Sequence, residues 1–206
     1  MKRILFLLAL LSSVINSAGA QVIFRTPKST RPVMYSIYAA LDPGSAIVKG
    51  SMKTYWVNQS NDVVNYVMMH LYLNAFRNGN STFYREMGDT PVSGGNKPGW
   101  IDIKSLTSRD GKDMLSSMHF ISPDDDNKDD RTVVRIDLQE PARPGDTVFL
   151  NIDFVSKLPS RIIRTGYSGD FFFIAQWFPK FGVYEPATSF MPGRNFTPTP
   201  VFMIFQ

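Results

Sequence analysis

Residues 132–138 read TVVRIDL and residues 147–155 read TVFLNIDFV. In the first, Val134, Ile136 and Leu138 alternate with Arg135 and Asp137. In the second, Val148, Leu150, Ile152 and Phe154 alternate with Asn151 and Asp153. A period of two is what a pleated strand with one buried face requires, because successive side chains point to opposite sides. Arg143-Pro144-Gly145-Asp146 lies between them and has the chemistry of a turn, with proline fixing φ and glycine free to take a positive one.

The same period spreads outward. Upstream, Tyr35, Ile37, Ala39 and Leu41 alternate with Ser36, Tyr38 and Ala40, and Asp42-Pro43-Gly44 is a turn. Val48, Met52 and Trp56 then share a face with Gly50 and Thr54, against Lys49, Ser51 and Lys53. The two runs predict a hairpin. Residues 63–73 place Val67, Met69, Leu71 and Leu73 on one face and Tyr66, Met68, His70 and Tyr72 on the other. Both faces are largely apolar, which predicts a central strand. Residues 100–106 predict another strand, with Ile101 and Ile103 on one face, and residues 114–121 a weaker one. The one predicted helix runs from Ser81 to Met87, with a capping group in Asn80-Ser81-Thr82 and a stop at Gly88. At least seven strands with short turns predict an all-β fold, an antiparallel β-sandwich or saddle-shaped sheet with one short helix.

Downstream, residues 171–184 read FFFIAQWFPKFGVY, and Gln176 is the one polar side chain in the apolar part. The plainer reading is a central strand over 171–178, stopped by Pro179, which has no N–H for a ladder. The sharper reading makes Gln176 a buried amide aimed at a ligand.

Composition narrows the function. The chain has 206 residues, with 22 basic and 18 acidic side chains and a net charge of +4. Lys2 and Arg3, the apolar run 4–11 and Ala18-Gly19-Ala20 form a secretory signal peptide over residues 1–20, with cleavage expected before Gln21. Export to the periplasm or the extracellular space is therefore expected. Without Lys2 and Arg3 the balance is 20 basic to 18 acidic, a net of +2. That is too even for a nucleic-acid partner, which calls for clustered basic residues. Cysteine is absent, and no later stretch reaches about 18 consecutive apolar residues, so neither a disulfide nor a membrane span is expected.

Catalytic patterns are missing. His70 and His119 are the two histidines, and neither has a second one three or four residues away for a zinc pair. There is no H-E-x-x-H, no G-x-S-x-G and no phosphate-binding loop. The acidic run 124–130, DDDNKDD, lacks the glycine and closing glutamate of a calcium loop and reads as solvated. On these residues the chain is not an enzyme, and no cofactor is expected in it.

Several phrases together resemble one family: YSIYAALDP at 35–43, the strand 48–56 followed by Asn58, HLYLNAF at 70–76, Ser81-Thr82-Phe83, Leu158-Pro159, Arg164-Thr165-Gly166-Tyr167 and AQWFPK at 175–180. In that order they resemble the N-terminal domain of aminopeptidase N-type (gluzincin) zinc metallopeptidases, in particular a bacterial secreted branch. The resemblance runs from about Met34 to Pro186 and defines a β-domain over residues 21–186. It implies a β-saddle packed on a separate catalytic domain that holds the zinc through H-E-x-x-H. That domain and a peptide substrate would be the partners in the intact parent. The family's glutamine facing the first substrate residue matches Gln176. Two positions later, where many members carry an acidic residue for the substrate amine, this chain has Phe178.

Residues 187–206 lack alternation and are interrupted by Pro192, Pro198 and Pro200. Read from the third base of each codon, they permit HQFHAxxEFYSDxGVYD, close to the family's next segment. The tail is thus expected to be irregular, a frameshifted reading that adds no strand. The chain then reads as the non-catalytic β-domain of a secreted aminopeptidase-like protein. The rival reading is a stand-alone secreted β-sandwich binding module that grips a ligand with its aromatic run.

Overall fold

The computed structural model describes residues 30–88, 97–160, 164–185 and 196–197. Met1–Arg31 forms one unit and Pro32–Gln206 another. The expected signal peptide and most of the tail lie outside the described residues. In chain order the strands are β1 (Val33–Asp42), β2 (Ile47–Val57), β3 (Val64–His70), β4 (Trp100–Ser108), β5 (Met118–Ile121), β6 (Val133–Ala142), β7 (Thr147–Lys157), β8 (Gly166–Ser168), β9 (Phe171–Phe173), β10 (Lys180–Phe181), β11 (Val183–Tyr184) and β12 (Phe196–Thr197).

The expected hairpin forms from β1 and β2, in unbroken register from Val33 opposite Trp56 to Asp42 opposite Ile47. Its turn is closed by the Asp42 carboxylate, which accepts from the Gly44 N–H at 3.1 Å and the Ser45 hydroxyl at 2.6 Å. On β2 the residues read as facing inward, Val48, Gly50, Met52, Thr54 and Trp56, are all buried. Strand β7 pairs along the other edge of β2, and β4 pairs with β7, giving an antiparallel sheet ordered β1-β2-β7-β4. A second antiparallel sheet is ordered β10-β3-β6-β5. Met52, Ile152 and Phe154 from the first sheet and Val67, Met69, Val134 and Ile136 from the second belong to one buried cluster. Two sheets sharing one core make an all-β, sandwich-like fold. The turn after β6 carries the chain from one sheet to the other. It is held by the Arg143 N–H donating to Asp146 Oδ2 at 2.8 Å.

The short helix forms over Thr82–Met87 as expected. Ser81 Oγ accepts from the Tyr84 N–H at 3.4 Å, and Gly88 ends it with φ of 62°, a conformation open to glycine at little cost.

Four expectations are corrected. The predicted strand 63–73 ends at His70 and continues as a buried 3-10 turn, Tyr72–Phe76. Asn74 fixes the change: its Nδ2 donates to the Arg131 carbonyl at 2.8 Å, and its Oδ1 accepts from the Ile101 N–H at 2.9 Å. A segment buried on all sides is apolar on all sides whether strand or turn, so the pattern could not separate them. Within 114–121, Leu115–Ser117 is a 3-10 turn started by Asp113, which accepts from the Leu115 N–H at 3.0 Å, and β5 follows. The acidic run is not simply solvated. Asn127 and Asp130 are buried, Asp130 accepts from the Thr82 N–H at 3.1 Å, and Asn127 donates to the Asn80 carbonyl at 2.8 Å. The run is the brace of the helix start. Lastly, Phe196–Thr197 in the tail pairs with Val183–Tyr184, where no strand was expected.

Candidate functional site

The aromatic run 171–184 is not a central strand. Strand β9 takes three residues of it and pairs only with β8, in a small separate hairpin. Tyr167 and Phe172 stack across that hairpin, with ring centres 5.5 Å apart and planes 16° apart. The alternate side chains Phe171 and Phe173 remain 62% and 47% exposed. The strand stops because Thr165 intercepts its ladder. The Thr165 hydroxyl donates to the Phe173 carbonyl at 3.2 Å and accepts from the Ala175 N–H at 3.3 Å.

A bend follows, and Gln176 is its apex, with φ of 53°. A non-glycine residue in the left-handed region costs roughly 1–2 kcal/mol, so its surroundings must hold it there. The next residue is clipped to β7, where Ser156 Oγ donates to the Trp177 carbonyl at 2.6 Å. The Trp177 ring lies 5.9 Å from Phe154 and 5.4 Å from Phe178. Phe178 meets Tyr35 of β1 edge-on at 5.4 Å. Tyr35 closes the arrangement by accepting from the Phe181 N–H at 2.8 Å through its hydroxyl. Burial is the main cause that pushes the Tyr35 phenol up to about 12, so it stays protonated at neutral pH.

Gln176 itself is half-buried, and its side-chain amide makes no hydrogen bond among the described residues. The sharper reading made it a buried amide aimed at a ligand; its burial is corrected, because the bend that replaces the strand leaves the residue half-buried. An amide offers one acceptor and two donor hydrogens and no useful proton transfer, which suits it to hydrogen-bonding a polar group. A strained, well-anchored residue whose polar head has no partner among the described residues is a reason to look for a ligand there.

Beside the bend lies a cleft of about 340 Å³ lined by Tyr35, Trp56, Lys180, Phe181 and Tyr184, among others. Gln176 does not line it. The Tyr184 hydroxyl donates to Asp62 at 2.8 Å. Burial first, and then that carboxylate, push the phenol up to about 12.

Zinc does not fit these residues. His70 is buried at the end of β3 and stacked on Tyr72 at 4.9 Å. Burial, with Lys180 opposite it as the lesser cause, lowers its pKa to about 4. His119 is exposed on β5 and lies 3.5 Å from Asp137. Strand β6 separates the two. Among the described residues no group of three or more histidine, cysteine, aspartate or glutamate side chains could hold a metal. Nor is any described helix long and apolar enough to cross a membrane.

Sequence reasoning singled out Gln176 but missed the three groups that position it, Thr165, Ser156 and Tyr35. Thr165 and Tyr35 both stand in phrases already noted, but Tyr35 is 146 residues from the N–H it binds, and no local pattern encodes that contact. Comparisons with protein-family models, with characterised proteins and with solved structures return no match to this chain.

Proposed function

We propose that this chain serves as the non-catalytic β-domain of a zinc aminopeptidase-type metallopeptidase, exported from the cell. It would wall the substrate pocket and present Gln176 to the first residue of a peptide. Catalysis would belong to a separate zinc domain, because the histidines here cannot form a zinc set. The observation that carries the reading is Gln176: a left-handed backbone, clamps on both sides and an amide with no hydrogen bond among the described residues. The phrases that resemble the family would put its substrate-facing glutamine at that position. The exposed Phe171 and Phe173 favour a second reading, a stand-alone module that grips a ligand with its aromatic hairpin.

The coding sequence that follows separates the two. The first reading expects an encoded H-E-x-x-H in either frame over the next several hundred codons; its absence sinks that reading. In the two-domain protein, Gln176→Gly should keep the bend, since glycine accepts the positive φ, while removing the amide. A lost hydrogen bond of about 0.5–1.5 kcal/mol corresponds to a fall in kcat/KM of roughly 2- to 12-fold. An unchanged kcat/KM across substrates differing in their first residue refutes the role given to Gln176.

A further inference from the structure

Three of the four outer edges of the two main sheets are blunted. Strand β4 carries a register break between Ile103 and Ser105, together with the charged Asp102 and Lys104. Strand β5 has four residues and β10 has two. Bulges, charges and short lengths are the usual protections of a sheet edge. Strand β1 has none of them. It runs ten residues in unbroken register with β2, and VMYSIYAAL carries no charge before Asp42. Tyr38 at its middle is 79% exposed. Among the described residues nothing pairs along its outer side.

The parity of that side can be read from flanking hydrogen bonds. The Val57 N–H donates to the Pro32 carbonyl at 2.7 Å, and the Leu158 N–H donates to the Ala46 carbonyl at 3.0 Å. In a regular antiparallel pair both backbone groups of one residue point the same way, and the direction alternates along the strand. The even-numbered residues of β1 therefore bond to β2. Val33, Tyr35, Ile37, Ala39 and Leu41 turn their N–H and C=O groups outward.

We propose that the outer edge of β1 pairs with β1 of a second copy of this chain, antiparallel, about a two-fold axis through Ile37. The proposal is independent of the role given to Gln176. Unpaired backbone groups in a straight row fix the occupant as an extended strand. The register favours a copy of the same strand. Centring on Ile37 sets Ile37 opposite itself, Tyr35 opposite Ala39 and Val33 opposite Leu41. Every pair is then drawn from the outward-facing set, and about ten hydrogen bonds form. Residues that share a face of one sheet stay on that face across the axis, as a continuous sheet requires. No charged residue is placed opposite another within the paired stretch, so nothing repels. A strand pair alone makes a small interface, which predicts a dimer that dissociates on dilution.

Sedimentation velocity on the purified protein over a concentration series tests this. The expected result is a weighted mass rising from one chain towards two. Ala39→Pro removes an outward N–H without touching the β2 ladder and should abolish the rise. Ser36→Lys with Tyr38→Lys, both exposed, places like charges across the axis and should do the same if the proline variant fails to fold. The chain has no cysteine, so register can be read directly. Ile37→Cys should cross-link to itself on oxidation, and Ala40→Cys, far from its own copy, should not. A monomer at every concentration, a dimer indifferent to both edge variants, or cross-linking through Ala40→Cys overturns the proposal.

Discussion

Acid should destabilise this protein through His70. The residue is 5% exposed, its imidazole lies flat on Tyr72, and Lys180 is opposite it in the adjoining strand. Burial, then Lys180, lower its folded pKa from 6.5 to about 4. Above pH 6.5 neither the folded nor the unfolded chain protonates this group, so its contribution is complete and constant there. Between 6.5 and about 4 the unfolded chain takes up a proton that the folded chain refuses. Stability then falls as pH falls, by up to about 1.4 kcal/mol for each pH step, and reaches roughly 3 kcal/mol of loss near the folded pKa. Carboxylates titrate in the same range, so the assay must be a difference. Urea midpoints would be measured at pH about 7 and about 4.5 for the parent chain and for His70→Phe, which keeps a flat ring against Tyr72 and cannot titrate. The variant should lose about 2–3 kcal/mol less on acidification than the parent. Lys180→Met should move His70 in the opposite sense, raising its folded pKa and narrowing the acid-sensitive window. Equal pH dependence in the parent and His70→Phe would refute the reasoning, because it would mean that His70 protonates as readily folded as unfolded.

Two further substitutions test the packing. At Gly50 an added Cβ would stand 2.2 Å from Phe154 Cζ in the core, so Gly50→Ala should cost about 1–3 kcal/mol by overpacking; thermal unfolding of the single variant and of Gly50→Ala with Phe154→Leu should show less than additive loss in the pair. Asn74→Ala strands the Ile101 N–H and the Arg131 carbonyl and should lower stability by about 2–4 kcal/mol in a urea titration, since an unpaired buried polar group costs about 1–3 kcal/mol.

What could and could not be read from the sequence follows from how each element is stabilised. The strands β2, β6 and β7 bury one face and show the other to water or to charged neighbours, and β1 half-buries Val33, Tyr35 and Ile37 between exposed residues, so alternation marks them and turn residues bound them. The helix is marked by its own capping groups, Ser81 and Gly88, which act within a few residues. The 3-10 turn at Tyr72–Phe76 escapes because Asn74 draws its partners from Ile101 and Arg131, on segments that the chain reaches only much later. The aromatic run is the sharpest case. Hydrophobicity alone gave it a central place, but a central strand must offer its whole backbone to neighbours on both sides. Here Thr165 takes the groups on either side of Ile174, Ser156 takes the Trp177 carbonyl and Pro179 has no N–H to give. The rings still find their burial, Trp177 on Phe154 and Phe178 on Tyr35, without any ladder at all. Apolar area and backbone pairing are separate demands on a segment. The candidate site exists because residues 174–179 satisfy the first through side chains from two other strands and give up the second. That leaves Gln176 at the apex of a bend, in a conformation no strand would have allowed it.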